Sequence, residues 1–225
     1  MRKLFRILTF VALVMLTLSA SGVYALDFSF TGNFTNDNDV QLFNFSVGAP
    51  STVTLRTWSY AGGTNAAGQV IARGGFDPIL ALFDSTGVRI NQNDDGGLGL
   101  VPPDAVTGEY YDTYLSSSLI AGNYQVSVMQ YDNFANGPNL SNGFGRDGAA
   151  NINFTAALTG QTGLFWDVSP DQRDSHWAFD ILNVNEATQD GGGDGSAVPE
   201  PATMLLLGSG LIGLVGYGRK KFFKK

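Results

Sequence analysis

Between Leu26 and Val184 the apolar residues return at every second position, and no long 3.6-residue repeat appears. Side chains of a strand point alternately to opposite faces, so this period favours strands and disfavours amphipathic helices. "LDFSF" places Leu26, Phe28 and Phe30 on one face, and "QLFNFSV" does the same with Phe43, Phe45 and Val47. "STVTLRTW", "GNYQVSVMQYD", "NINFTAAL" and "HWAFDILNV" continue the pattern. "PILALFD" is apolar at odd and even positions alike, which predicts a central strand covered on both faces. The intervening stretches are rich in Gly, Asn and Asp, the residues that tolerate tight turns and positive φ. Many short strands joined this way predict an all-β chain: one antiparallel β-sandwich, jelly-roll-like in kind.

The two ends follow other rules. Arg2, Lys3 and Arg6 precede the apolar run "ILTFVALVMLTL", and Val23 and Ala25 supply small residues at positions suited to signal peptidase. Residues 1–25 therefore read as a signal peptide cleaved after Ala25. "ATQDGGGDGSA" loses apolar periodicity, so residues 187–197 read as a flexible linker after a domain at 26–186. Residues 198–225 have three parts. Val198-Pro199-Glu200-Pro201 bars a continuous helix, Ala202 to Gly218 is apolar, and Arg219, Lys220 and Lys221 open a basic tail. At about 1.5 Å per residue the apolar part just spans a hydrocarbon core of about 30 Å, as a transmembrane helix. The basic residues hold the tail on the cytoplasmic side, leaving the body outside. "VPEPAT", "LLLGSGLIGLVGYG" and "RKK" together resemble the PEP-CTERM sorting signal of Gram-negative bacteria. That resemblance implies transient inner-membrane anchoring, processing by an exosortase (a membrane cysteine protease-transpeptidase), and a destination at the cell surface or in an exopolysaccharide or biofilm matrix.

Charge divides at the same borders. Of 13 basic residues three precede Ala25 and five follow Gly218, so the body keeps five arginines and no lysine against 20 acidic residues, a balance of −15. Such a surface repels phosphate, which excludes nucleic acid as a partner, and attracts cations. Cysteine is absent, so stability must come from the core or from metal.

"FDPILALFDSTGVRINQNDDGG", followed later by "AGNYQVSVMQYDN", is similar to the bacterial pre-peptidase C-terminal (PPC-like) β-domain, with a long insert, "SYAGGTNAAGQVIARGGF", before its D-P strand. The similarity implies a jelly-roll-like sandwich with an accessory, non-catalytic role. Its acidic turns suggest calcium, which takes six to eight oxygen ligands. Asp37, Asp39, Asp77, Asn93, Asp94 and Asp95 are the candidate ligands, although no EF-hand loop is present and "NDDG" is more often a plain solvated turn. His176 is the single histidine, expected as a strand-end contact beside Trp177. With no cysteine and no G-x-S-x-G elbow, the usual zinc sets and nucleophile pairs are excluded. The expectation is a secreted, non-enzymatic structural or interaction protein. A calcium-dependent carbohydrate-binding or adhesion module is the alternative, and a matrix-polymer hydrolase ranks third.

Overall fold

The computed structural model describes residues 25–191, 193–194 and 196–198. Within them the chain is all-β, with antiparallel sheets and very little helix. Three strands open it: β1 (Leu26–Asn33), β2 (Val40–Val47) and β3 (Ser51–Thr57). A two-stranded hairpin, β4 (Gly63–Thr64) and β5 (Val70–Ile71), lies in the long insert. Then come β6 (Pro78–Asp84), β7 (Arg89–Asn93), β8 (Tyr114–Leu119) and β9 (Gly122–Gln130). After helix α1 (Phe154–Thr159), the chain ends in β10 (His176–Val184), β11 (Glu186–Gln189), β12 (Gly193–Asp194) and β13 (Ser196–Val198). One sheet runs β13-β1-β10-β3-β8 and the other β12-β11-β2-β9-β6-β7.

The alternation read from the sequence is what joins the sheets. Phe28, Phe30, Val53, Leu55, Phe179 and Ile181 of the first sheet share one apolar cluster with Phe43, Phe45, Leu80, Leu82, Val126 and Val128 of the second. Phe43 sits at its centre, with ring centroids 4.8 Å from Phe30, 5.0 Å from Phe179 and 5.6 Å from Trp177. Trp177 in turn requires Gly32: a Cβ at that glycine would come within 2.3 Å of the indole ring. β6 is covered on both faces as expected. Its even positions face this cluster, while Ile79, Ala81 and Phe83 pack with Met129, Ala135 and Phe144 under the connection after β9.

Two stretches depart from the sequence reading. "NINFTAAL" is not a strand. Its latter part is α1, in which Phe154, Thr155 and Ala156 are buried in succession, which a two-residue period cannot produce. The cause is tertiary. Asp37 Oδ2 accepts from the Thr155 amide (3.1 Å) and hydroxyl (2.6 Å), and Gly160 closes the turn in the left-handed conformation, its N–H on the Ala156 carbonyl. The second departure is the linker expected at 187–197. Glu186–Gln189 pairs with β2 from Ser46 to Phe43, and Ala187 is buried in the core. Backbone pairing at an edge needs little apolar alternation, so composition alone hid it. The long insert before β6 folds back over the outer face of the first sheet. The Ala66 amide donates to Asp180 at 2.9 Å and the Ala67 amide to the Ser29 hydroxyl at 3.0 Å.

Candidate functional site

Strand direction gives the body two unlike ends. At one, short turns at 48–50, 85–88 and 120–121 and the single residue 185 join the strands; at the other lie the long connections 34–39, 58–77, 94–113 and 131–175. Most of the acidic residues sit in those long connections.

Most of the buried acids there hold loops. Asp112 accepts from the Thr57 hydroxyl at 2.9 Å and from the amides of Tyr60 (3.1 Å) and Ala61 (2.8 Å). Asp180 accepts from Ser29 (2.6 Å) and the Trp58 indole (2.7 Å). Burial pushes both carboxyls above the ordinary aspartate range, against the pull of these donors. Asp104 is gripped by Arg73 through two bonds of 2.7 and 2.8 Å, lies 3.7 Å from Arg173, and accepts from the Val106 and Thr107 amides. Burial opposes its charge, yet Arg73 and these amides prevail and hold it well below the usual range. Arg173 stacks 3.6 Å over the Tyr60 ring, and the Tyr60 hydroxyl donates to Asp167 at 2.6 Å. This Asp104–Arg173–Tyr60–Asp167 network was not singled out by the sequence reading. Its signal in the sequence is slight: Arg73 and Arg173 are two of five arginines in a body without lysine.

Asp77 differs. It is almost fully buried, and its Oδ1 has no hydrogen-bond partner. Burial raises its pKa far above the ordinary value, and the next strongest influences are the charges of Asp95 and Asp94, at the turn beyond β7. Burial of the Asp95 carboxyl, with Asp94 and then Glu109, pushes Asp95 up to about 6. A carboxylate so placed either keeps its proton or needs a cation.

Of the candidate calcium ligands, Asp94 and Asp95 follow β7 and their charges reach Asp77, which directly precedes the paired strand β6. Asn93 instead braces the turn, its amide donating to the carbonyls of Asp95 (2.7 Å) and Tyr114 (2.9 Å). Asp37 is committed to Thr155, although its Oδ1 is also without a partner. Asp39 accepts from the amides of Thr35 and Asn36 at 2.8 and 2.9 Å, closing its own turn. Among the described residues, no three His, Cys, Asp or Glu side chains converge to hold a metal. His176 opens β10, its Nδ1 against Asp174 and its Nε2 3.1 Å from the Ala72 carbonyl, beside buried Trp177.

At the termini, Ala25 lies just before β1, and Val198 closes β13, whose backbone pairs with β1. Pro199, Glu200, Pro201, Arg219, Lys220 and Lys221 lie outside the described residues, as does the expected membrane helix. Among the described residues no helix is long and apolar enough to cross a membrane.

Residues 197–221 match the PEP-CTERM protein-sorting motif. The motif marks a chain for exosortase processing and for sorting beyond the cytoplasm to the cell envelope or surface. Among curated proteins none matches the chain.

Proposed function

We propose that the chain is a non-enzymatic structural or interaction protein, exported by its signal peptide and handed by an exosortase to the outer surface or exopolysaccharide matrix of a Gram-negative bacterium. The motif match at 197–221 carries this reading. Support from the body is chemical: most buried acids at the long-loop end are tied to backbone amides, hydroxyls or arginine and hold loops in place. On this reading the two sheets form one jelly-roll-like sandwich of the PPC-like kind. In favour is the pairing of β6, the D-P strand, between β7 and the A-G-x-Y strand β9. The test is recovery of the protein from its host and mass spectrometry of its termini. New ends after Ala25 and near Pro199–Pro201 are expected, and alanine at Pro199, Glu200 and Pro201 together leaves the chain in the inner membrane. Release of that variant as efficiently as the wild type refutes the sorting reading.

A calcium-dependent carbohydrate-binding or adhesion module is the second reading, favoured by the orphaned Oδ1 of Asp77 beside Asp94 and Asp95. Glycan binding measured with calcium and with chelator separates the two. Product release from exopolysaccharide is the corresponding test of a hydrolase.

A further inference from the structure

The last strand described, β13, overlaps the start of the sorting-motif match. β13 pairs antiparallel with β1 in the register Asp27↔Val198, Phe28↔Ala197 and Ser29↔Ser196, and the motif match begins at residue 197. β1 lies against β10 on its other side, so without β13 it is an eight-residue sheet edge with free N–H and C=O groups. Such an edge is a template for any extended segment. The chain leaves β11, turns back along it as the short edge strand β12 of the six-stranded sheet, and crosses to the edge of the five-stranded sheet as β13. Its direction is fixed by the pairing. Val198 lies opposite Asp27, two residues after Ala25, at the end of the body that carries the short turns.

We propose that Ser196–Val198 docks on the β1 edge so that the sorting signal leaves the body at its short-turn end, standing the uncut precursor on the membrane with its long connections outward. This rests on the sorting reading for its membrane and on the strand register for its geometry. A freely swinging linker presents every face of the body to the membrane equally; a docked strand presents one. That end is compact and carries an apolar tip, Ile120, beside Pro50 and Leu119. The outward end carries the acidic connections, with Leu98, Val106 and Val168 exposed. The outward end is then the surface that meets matrix or neighbouring molecules, and cutting within the motif frees the body without uncovering β1.

The absence of cysteine makes single-cysteine reporters clean. Fluorophores on Ala121→Cys, in a short turn, and on Val106→Cys, in a long connection, are compared in the chain from Leu26 to Lys225, freed of the N-terminal apolar run, in phosphatidylcholine vesicles carrying a nitroxide lipid. Strong quenching at position 121 and near-background quenching at 106 are expected. Ser196→Pro, outside the matched residues, removes a β13 N–H and should make the two positions alike. Hydrogen exchange on the same chains reads docking directly. In Ser196→Pro protection is lost at those amides of Asp27–Ser29 that point to β13 rather than β10, while Ser51–Thr57 in β3 stays protected. If the proline variant loses β3 protection too, a Gly-Ser spacer inserted after Val198 decides. Protection at Asp27–Ser29 persists and the quenching difference disappears. Equal quenching in the wild type, or protection at Asp27–Ser29 unaffected by the proline in a folded chain, overturns the proposal. Failure of the chain to enter vesicles while exchange still depends on Ser196 counts against the sorting reading instead.

Discussion

Replacing Asp77 by asparagine tests whether its buried oxygen is a liability or a ligand. The side chain is almost fully buried, one oxygen has no partner, and Asp94 and Asp95 oppose its charge. Leaving a buried polar group unpaired costs about 1–3 kcal/mol, and more when it is charged. Asparagine leaves a polar atom unpaired as well, so what the variant removes is the cost of the charge. Each pH unit between the ordinary 3.8 and the folded value adds about 1.4 kcal/mol to that cost, or roughly 3–5 °C at about 2–4 °C per kcal/mol for a body of this size. With chelator present at neutral pH, Asp77→Asn is therefore expected to melt above the wild type. The pH dependence has a definite sign. The folded pKa of Asp77 lies above the ordinary value of 3.8, so its native form binds the proton more tightly than the unfolded chain. The stability this gives is fully present below about 3.8 and is lost as pH rises through the folded value. The advantage of the asparagine variant should thus be absent in acid and grow with pH. Shifted carboxyls that do not act on Asp77 cancel in the difference, whereas Asp95 and Asp112 are coupled to it and contribute. Calcium reverses the ranking under the second functional reading. A cation bound only by the folded state adds about 2.7 kcal/mol at a hundredfold excess over Kd, which asparagine forfeits. Differential scanning calorimetry of both proteins across pH, with chelator or with calcium against sodium at matched ionic strength, separates these cases. An asparagine variant that melts below the wild type at every pH in chelator refutes the argument from the orphaned oxygen.

Three further outcomes are expected. Phe43→Ala empties the centre of the shared core and should cost about 3–5 kcal/mol in chemical denaturation; a loss below about 1 kcal/mol contradicts the packing described. Asp104→Asn removes the carboxylate gripped by Arg73 and the loop amides and should cost about 1.5–3 kcal/mol at neutral pH. Because the folded pKa of Asp104 is depressed, that contribution is present above the ordinary 3.8 and is lost as pH falls, so wild type and variant should converge in acid. His176→Ala should leave any hydrolysis of polysaccharide by the purified body unchanged; a clear loss of turnover ends the non-enzymatic assignment.

Alternation was sufficient to place β1, β2, β3, β9 and β10, and a run apolar at every position placed β6, because each buries a face in the shared core and β6 buries its other face in a second cluster. It failed at "NINFTAAL", where Asn, Thr and Ala suit either structure and the choice fell to the Asp37–Thr155 contact, 118 residues apart in sequence. It failed again at Glu186–Gln189 and Ser196–Val198, edge segments held by backbone pairing that leaves almost no trace in side-chain pattern.

The sorting signal was legible from order alone, since prolines, an apolar run and basic residues act through local chain chemistry and the bilayer. The acidic residues were legible as a charge balance but not as a site. Aspartate that caps a loop and aspartate left without a partner have the same letter, and only the fold decides which amides, hydroxyls and arginines reach each one. Tertiary structure alone therefore separated Asp37, Asp104 and Asp112, which brace the long connections, from Asp77, whose buried Oδ1 has no partner. It also brought the start of the sorting signal against the first strand of the body, because an antiparallel edge accepts whatever extended backbone the chain can return to it.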